Sequence, residues 1–275
     1  KFAYEVEDNK DIETITVANK NLKLKGYDTK SYWNSITNTG RFVVVLPDKY
    51  VQGLEVSENH LIIDTKEDTD AELENKIKED WESKVKEDDL VILGGDFSWS
   101  MQLQDTFKDF EFIHNLPGKK LLLKGNHDYW WGTLTSMRKY INSIGFTDID
   151  FIYNNSYEFE DKIICGTRGW NFSGIQEEDE KIYNREKQRL KLSLEDGVNR
   201  FGKDKDIIAC LHYPPLKIDE ISDFVRIMED YNVKKCIYGH LHGPAHKFVV
   251  EKNLDGIEYI MTSCDYTNFK LIKIY

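Results

Sequence analysis

The sequence predicts an α/β layered fold on three observations. From Arg41 onward, short apolar runs bounded by Gly, Pro or Asp alternate with helical patterns. Four of those runs end in polar clusters of one character. The 14 Phe, 15 Tyr and 6 Trp supply more core material than a disordered chain carries, and apolar residues at 40% and charged residues at 31% are near globular values. A chain of 275 residues suits one domain with an appendage, since two full domains would be a squeeze.

Residues 1–40 are polar and rich in Lys, Asn and Thr, and the weak alternation around Ile12 to Val17 predicts short half-exposed strands in an N-terminal segment of uncertain fold. The main domain is expected over 41–275. Its strands are expected at 42–46, 90–93, 121–123, 163–165, 207–211 and 236–238. Leu73, Ile77, Trp81 and Val85 recur every four residues, and Ile221, Phe224, Val225 and Met228 follow an i, i+3, i+4, i+7 stripe, so both stretches predict helices covering a sheet. The charged stretch 177–200 predicts a helix with a solvated face, with Glu178, Lys181, Arg185 and Arg189 spaced for pairing.

Charge and apolar patterning exclude several classes. The longest apolar run is about six residues, against the ~20 that a membrane span needs. The stretch KFAYEVEDNKD carries acids where a signal peptide has its apolar core, so a soluble, cytoplasmic chain is expected. A net charge of -12 repels phosphate backbones and argues against non-specific nucleic-acid binding, leaving small phosphorylated molecules, nucleotides or phosphoproteins as expected partners. Cys165, Cys210, Cys236 and Cys264 show no CxxC spacing, and three lie in apolar runs, which predicts buried free thiols and a reducing compartment.

The chemistry gathers where the strands end. The run 90–93 leads into Gly94-Gly95-Asp96, 121–123 into Gly125-Asn126-His127-Asp128, 207–211 into His212-Tyr213-Pro214-Pro215, and 236–238 into Gly239-His240-Leu241-His242-Gly243. Ligands of α/β sheets bind outside the carboxyl ends of strands, so these clusters should converge. Asp, Asn and several His form a mixed oxygen and nitrogen donor set that suits Mn, Fe, Zn or Ni. A carboxylate can bridge two such ions, which together clamp a phosphoryl group and activate a water, while a nearby unliganded His protonates the leaving oxygen. Singly, each piece has a plainer role: Asp96 as a helix cap or turn residue, Asn126-His127 as a turn, His212 as a core histidine. His240-x-His242 between glycines is the hardest to explain without a metal.

These motifs carry a resemblance. From about residue 78 onward the chain resembles the calcineurin-like metallophosphoesterases, with GGDFSW, GNHDYWW, LHYPP and GHLHG standing in that family's order. It is most similar to bacterial predicted phosphohydrolases that also carry GTRGW, here 166–170, and a closing S-x-D-Y-x-N-F, here 263–269. The resemblance implies a metallophosphoesterase-type β-sandwich flanked by helices, two divalent metal ions, and hydrolysis of phosphomonoesters or phosphodiesters by a metal-activated hydroxide. It further implies that Asp96 bridges the ions, that Asn126, His212 and His240 bind one and His242 the other, and that His127, with Asp128 behind it, assists the leaving group.

One family element is missing, because the expected Asp-x-His of the first strand occurs nowhere in the sequence. Asp48-Lys49-Tyr50 is the first candidate to replace it, with Asp48 as the ligand and Tyr50 in place of the His. Glu58-Asn59-His60 is the second, and Glu5, Glu7 or Asp8 the third. The second site is therefore expected to be the weaker one. The rival reading is a catalytically weakened metal-binding scaffold or interaction protein of the same fold. Arg168 can fork onto a substrate phosphate or form a structural ion pair. Tyr129, Trp130 and Trp131 can stack on a base or pack as a wall, and Asp265 and Tyr266 are read as structural.

Overall fold

The computed structural model describes backbone elements between residues 14 and 65 and, from residue 70, the chain apart from 173–176; side chains are described from residue 73, apart from those four and residue 178. Two compact units divide the chain, 1–76 and 77–275, so the change in composition near residue 40 falls inside the first.

In the first unit, β1 (Thr14–Val17) and β2 (Lys20–Lys23) form an antiparallel pair. A separate antiparallel sheet has β3 (Thr29–Asn34), β4 (Thr39–Val45), β5 (Val56–Ser57) and β6 (His60–Thr65) in the order β3-β4-β6-β5. The apolar run expected at 42–46 falls largely in β4. Helix α1 (Asp70–Lys84) follows, on the predicted four-residue spacing, and Trp81 on it is buried with its indole N–H donating to the Pro117 carbonyl (2.8 Å).

The second unit is built of layers. A three-stranded parallel sheet holds β7 (Leu90–Leu93), β8 (Lys119–Leu123) and β9 (Ile149–Ile152). The larger, six-stranded sheet is made from β10 (Tyr157–Phe159), β11 (Lys162–Thr167), β12 (Asp206–Leu211), β15 (Val233–Tyr238), β17 (Ile257–Met261) and β16 (Asn253–Leu254), in that order, with β11, β12, β15 and β17 parallel. A short hairpin, β13 (Leu216–Lys217) and β14 (Glu220–Ile221), follows β12 in sequence.

Period-two alternation sorts the side chains. Ile163, Cys165, Ile207, Ala209, Leu211, Cys236 and Tyr238 share one cluster with helices α4 (Glu177–Phe201) and α5 (Asp223–Asp230), through Leu190, Leu194, Phe224, Val225 and Met228. Their neighbours Ile164, Ile208, Cys210 and Ile237 meet Leu121, Leu123 and Ile152 of the smaller sheet. The far face of that sheet, with Leu122, Ile149 and Phe151, is covered by α2 (Phe107–His114) and α3 (Leu134–Ser143) through Phe110, Ile113, Met137 and Ile141. The resulting order of helices, sheet, sheet, helices is a β-sandwich flanked by helices, as expected. Cys165, Cys210 and Cys236 are buried free thiols inside it, and Cys264 is free and exposed. Among the described residues no helix is long and apolar enough to cross a membrane.

The helix expected over 177–200 is α4, with Lys181, Arg185 and Lys191 on an exposed face. Its other face sinks Tyr183, Leu190 and Leu194 into the core, and Glu186 is fully buried among guanidiniums. Arg189 pairs with Glu186 three residues before it. Helices α2 and α3 are not among the expected elements.

Candidate metal centre

The strand ends of both sheets meet at one place. Asp96 and Asn126 follow β7 and β8 of the smaller sheet, and His212 and His240 follow β12 and β15 of the larger. The loops touch so closely that a side chain at Gly95 would place its Cβ 2.7 Å from the Gly125 amide nitrogen and from His212 Nδ1. At Gly125 the Cβ would lie 2.1 Å from Asp96 Oδ1. Asp96 and His240 themselves adopt left-handed backbone, φ 56° and 71°, an arrangement that non-glycine residues keep only where their surroundings impose it.

His212 is buried and its Nδ1 lies 3.0 Å from the Gly94 carbonyl oxygen, which places the ring proton there and turns the Nε2 lone pair inward. That Nε2 is 2.8 Å from Asn126 Oδ1, 3.2 Å from His240 Nδ1 and 3.4 Å from Asp96 Oδ2. Burial alone would raise the Asp96 carboxyl, but His212 and the His127 amide, which donates to Asp96 Oδ1 at 2.8 Å, hold it below the usual carboxylate value. Burial, with His212 alongside, lowers His240 to about 4, so its imidazole is neutral and its lone pair available at neutral pH.

The donor set fits a divalent ion. Donors bound at about 2.0–2.2 Å around one ion stand about 3.0–3.5 Å apart at tetrahedral or octahedral angles, close to the spacing here. A nitrogen of His212, a nitrogen of His240, the Asn126 amide oxygen and the Asp96 carboxylate are thus close enough to share one cation. Asp96, His212 and His240 are accordingly a group able to hold a metal.

His242 belongs to a second group, with Cys264 and Asp265. Its Nδ1 is 2.8 Å from Asp265 Oδ1, while Asp265 Oδ2 accepts the Gly243 amide at 2.8 Å and lies 3.0 Å from His246 Nε2. The carboxylate thereby fixes the His242 ring with Nε2 outward and raises its pKa. Despite burial, His242 and the Gly243 amide hold the Asp265 carboxyl far below the usual range. Asp265 is thus more than the structural residue that the sequence suggests, and a signal for it exists: it closely follows the apolar end of β17, as the other site residues follow theirs.

His127 stands at the rim. Its ring stacks on Trp99, centroids 4.0 Å apart and planes 10° from parallel, and its Nδ1 is 3.1 Å from the Tyr129 hydroxyl. Asp128 does not stand behind it. The fully buried Asp128 carboxylate instead accepts the amides of Asp96, Phe97, Ser98 and Gly125 and the Trp130 indole N–H, all at 2.7–3.2 Å. Burial raises its pKa against the pull of those amides. Asp128→Ala is expected to orphan several of these donors and cost about 3–5 kcal/mol of stability, read as a lower denaturant midpoint. Trp130 and Trp131 are buried in the core as wall, and only Tyr129, at 52% exposure, faces outward beside Trp99, at 53%.

Arg168 lies at the end of β11, its guanidinium 4.4 Å from the Trp170 ring and 3.4 Å from Glu186 Oε1, and burial lowers its pKa. Its carbonyl accepts the amides of His212 and Tyr213. Asp48, Tyr50, Glu58, Asn59, Glu5, Glu7 and Asp8 lie outside the described residues, as does the side chain of His60, whose backbone is in β6.

Oxygen and nitrogen donors thus converge at the strand ends of a layered α/β sandwich, in a group able to hold a divalent ion. The chain belongs to the calcineurin-like phosphoesterases, whose family model matches residues 59–244. It is similar in structure to TT1561 of Thermus thermophilus, at 14% identity over 70% of this chain and 83% of that one, with a TM-score of 0.48. It is also similar to AQ665, a protein of unknown function from Aquifex aeolicus, at 20% identity over 72% and 79%, with a TM-score of 0.37. No curated protein matches the chain.

Proposed function

We propose that the protein is a metal-dependent phosphoesterase that hydrolyses phosphomonoesters or phosphodiesters of small phosphorylated molecules, nucleotides or phosphoproteins. The carrying observation is the convergence of Asp96, Asn126 and His240 on His212 Nε2 within 2.8–3.4 Å. In this reading Asp96, Asn126, His212 and His240 would hold one ion, and His242, fixed by Asp265, would help to hold a second. When bound, divalent ions neutralise phosphoryl oxygens and lower the pKa of water.

The remaining work falls to the chain. The Gly94 carbonyl and the Asp265 carboxylate keep the His212 and His242 rings in their productive tautomers. Asp128 holds the two glycine loops together so that Asp96 and Asn126 face the imidazoles. Among the described residues the His127 ring contacts Tyr129 and Trp99, so it is free to pass a proton to a departing oxygen. Arg168, packed on Trp170 and paired with Glu186, would offer a delocalised charge to a substrate anion.

An aryl phosphate and an aryl phosphodiester incubated with added Mn²⁺ test the reading. Turnover that disappears after chelation and returns with Mn²⁺ is expected. A protein that binds Mn²⁺ stoichiometrically yet turns over neither ester would be the weakened scaffold to which the missing Asp-x-His points.

A further inference from the structure

Beside the metal centre lies a small cavity lined by Lys124, Tyr153, Asn154, Arg168, Glu186 and Arg189, among others. Its charges do not balance. Lys124, Arg168 and Arg189 line it, against the carboxylates of Glu186 in its wall and Asp128 nearby.

Both carboxylates are already committed. Glu186 Oε2 accepts the Thr167 hydroxyl at 2.7 Å, and its single Oε1 is shared by Arg189 at 2.7 Å, Arg168 at 3.4 Å and Arg185 at 3.7 Å. Asp128 is saturated by its amide and indole donors. The half-buried Lys124 ammonium makes no hydrogen bond or ion pair among the described residues. The Arg168 Nε–H and the Asn154 Oδ1 are buried and unpartnered. Asn154 is also held in left-handed backbone, φ 62°. Buried cations are ordinarily paired, and this cluster carries more positive charge than its acids can neutralise, in a chain whose net charge is -12.

The cavity is tied to the metal loops through the chain itself. Lys124 precedes Gly125-Asn126, and the Arg168 carbonyl receives the His212 amide at 3.1 Å. We propose that Lys124, Arg168 and Arg189 form a subsite for a second compact oxyanion of the substrate, a phosphoryl or carboxylate group distinct from the scissile phosphate. This rests on the phosphoesterase reading of the neighbouring centre and narrows its substrates to phosphoesters carrying another anionic group. Guanidinium forks and an ammonium are suited to such an oxyanion, and charge-assisted bonds of this kind are the strong ones.

Two measurements separate this inference from the activity itself. Chelator-stripped protein titrated with inorganic phosphate in a calorimeter should show one weak site. That site should persist in His212→Ala and weaken about 10- to 100-fold in Lys124→Met and in Arg189→Met, with Lys124→Arg restoring most of the loss. With metal added, a nucleoside 3′,5′-bisphosphate and phosphoserine are each compared with glycerol phosphate. The preference in kcat/KM for whichever anionic substrate is favoured should fall about 10- to 100-fold in Lys124→Met, mostly through KM, and the substrate affected tells phosphoryl from carboxylate. Phosphate binding equal in wild type, Lys124→Met and Arg189→Met, or no Lys124-dependent preference for either substrate, would overturn the subsite. Intact phosphate binding with no turnover of any ester would instead overturn the phosphoesterase reading and leave the subsite standing.

Discussion

His212→Ala is expected to remove most of the metal from the better-furnished site and, with it, most of the activity. His212 Nε2 is the atom around which Asn126, His240 and Asp96 gather, and its ring is already oriented by the Gly94 carbonyl, so little is left to reorganise when an ion binds. Loss of a partner that only orients a ligand costs roughly 10- to 100-fold in affinity, so loss of the ligand itself should cost at least about 100-fold. Elemental analysis after dialysis and turnover of an aryl phosphate should fall together, and raised Mn²⁺ should recover only part of the rate. The buried ring also packs against Tyr213, its centroid 5.4 Å away, so a denaturation curve must accompany the assay to separate metal loss from unfolding. Full metal content in a folded His212→Ala protein would show that the ion sits elsewhere.

The four residues around that point are legible because each has a local signal: an apolar strand that stops at glycine and a donor side chain. What the sequence conceals is which partners lie far along the chain. Asp128 reads as the neighbour of His127, but its bonds run to amides about thirty positions earlier, so only the folded loop shows it as a clamp rather than a partner of the histidine. Glu186 has Arg185 and Arg189 beside it in the helix, but nothing local marks its full burial or its pairing with the distant Arg168. Trp99 and Tyr129 read equally as wall or platform, and their contact with His127 depends on two loops meeting. The layered fold is legible for the opposite reason, since β8, β11, β12 and β15 each carry an uninterrupted apolar run that only a two-faced burial explains. Helix α2 stays hidden although it is as long as α5, because α5 buries Phe224, Val225, Ile227 and Met228 along its stripe whereas α2 buries only Phe110 and Ile113.

His127→Ala should leave metal content and stability nearly unchanged and still slow turnover of alkyl phosphates by about 100- to 10,000-fold, the range of a positioned general acid. Among the described residues the ring's contacts are Trp99 and Tyr129, which hold it at the rim, so its removal should not disturb the cluster around His212. Nδ1 is engaged with the Tyr129 hydroxyl at 3.1 Å, which leaves Nε2 as the nitrogen free to meet a departing oxygen. The deficit should shrink sharply for p-nitrophenyl phosphate, whose leaving group departs without a proton, and Tyr129→Phe should show the same dependence on leaving group in milder form. Plotting the logarithm of the rate against leaving-group pKa for wild type and variant makes the comparison. A steeper slope for His127→Ala assigns the proton transfer to this ring, whereas parallel lines would mean that His127 shapes the site without moving a proton.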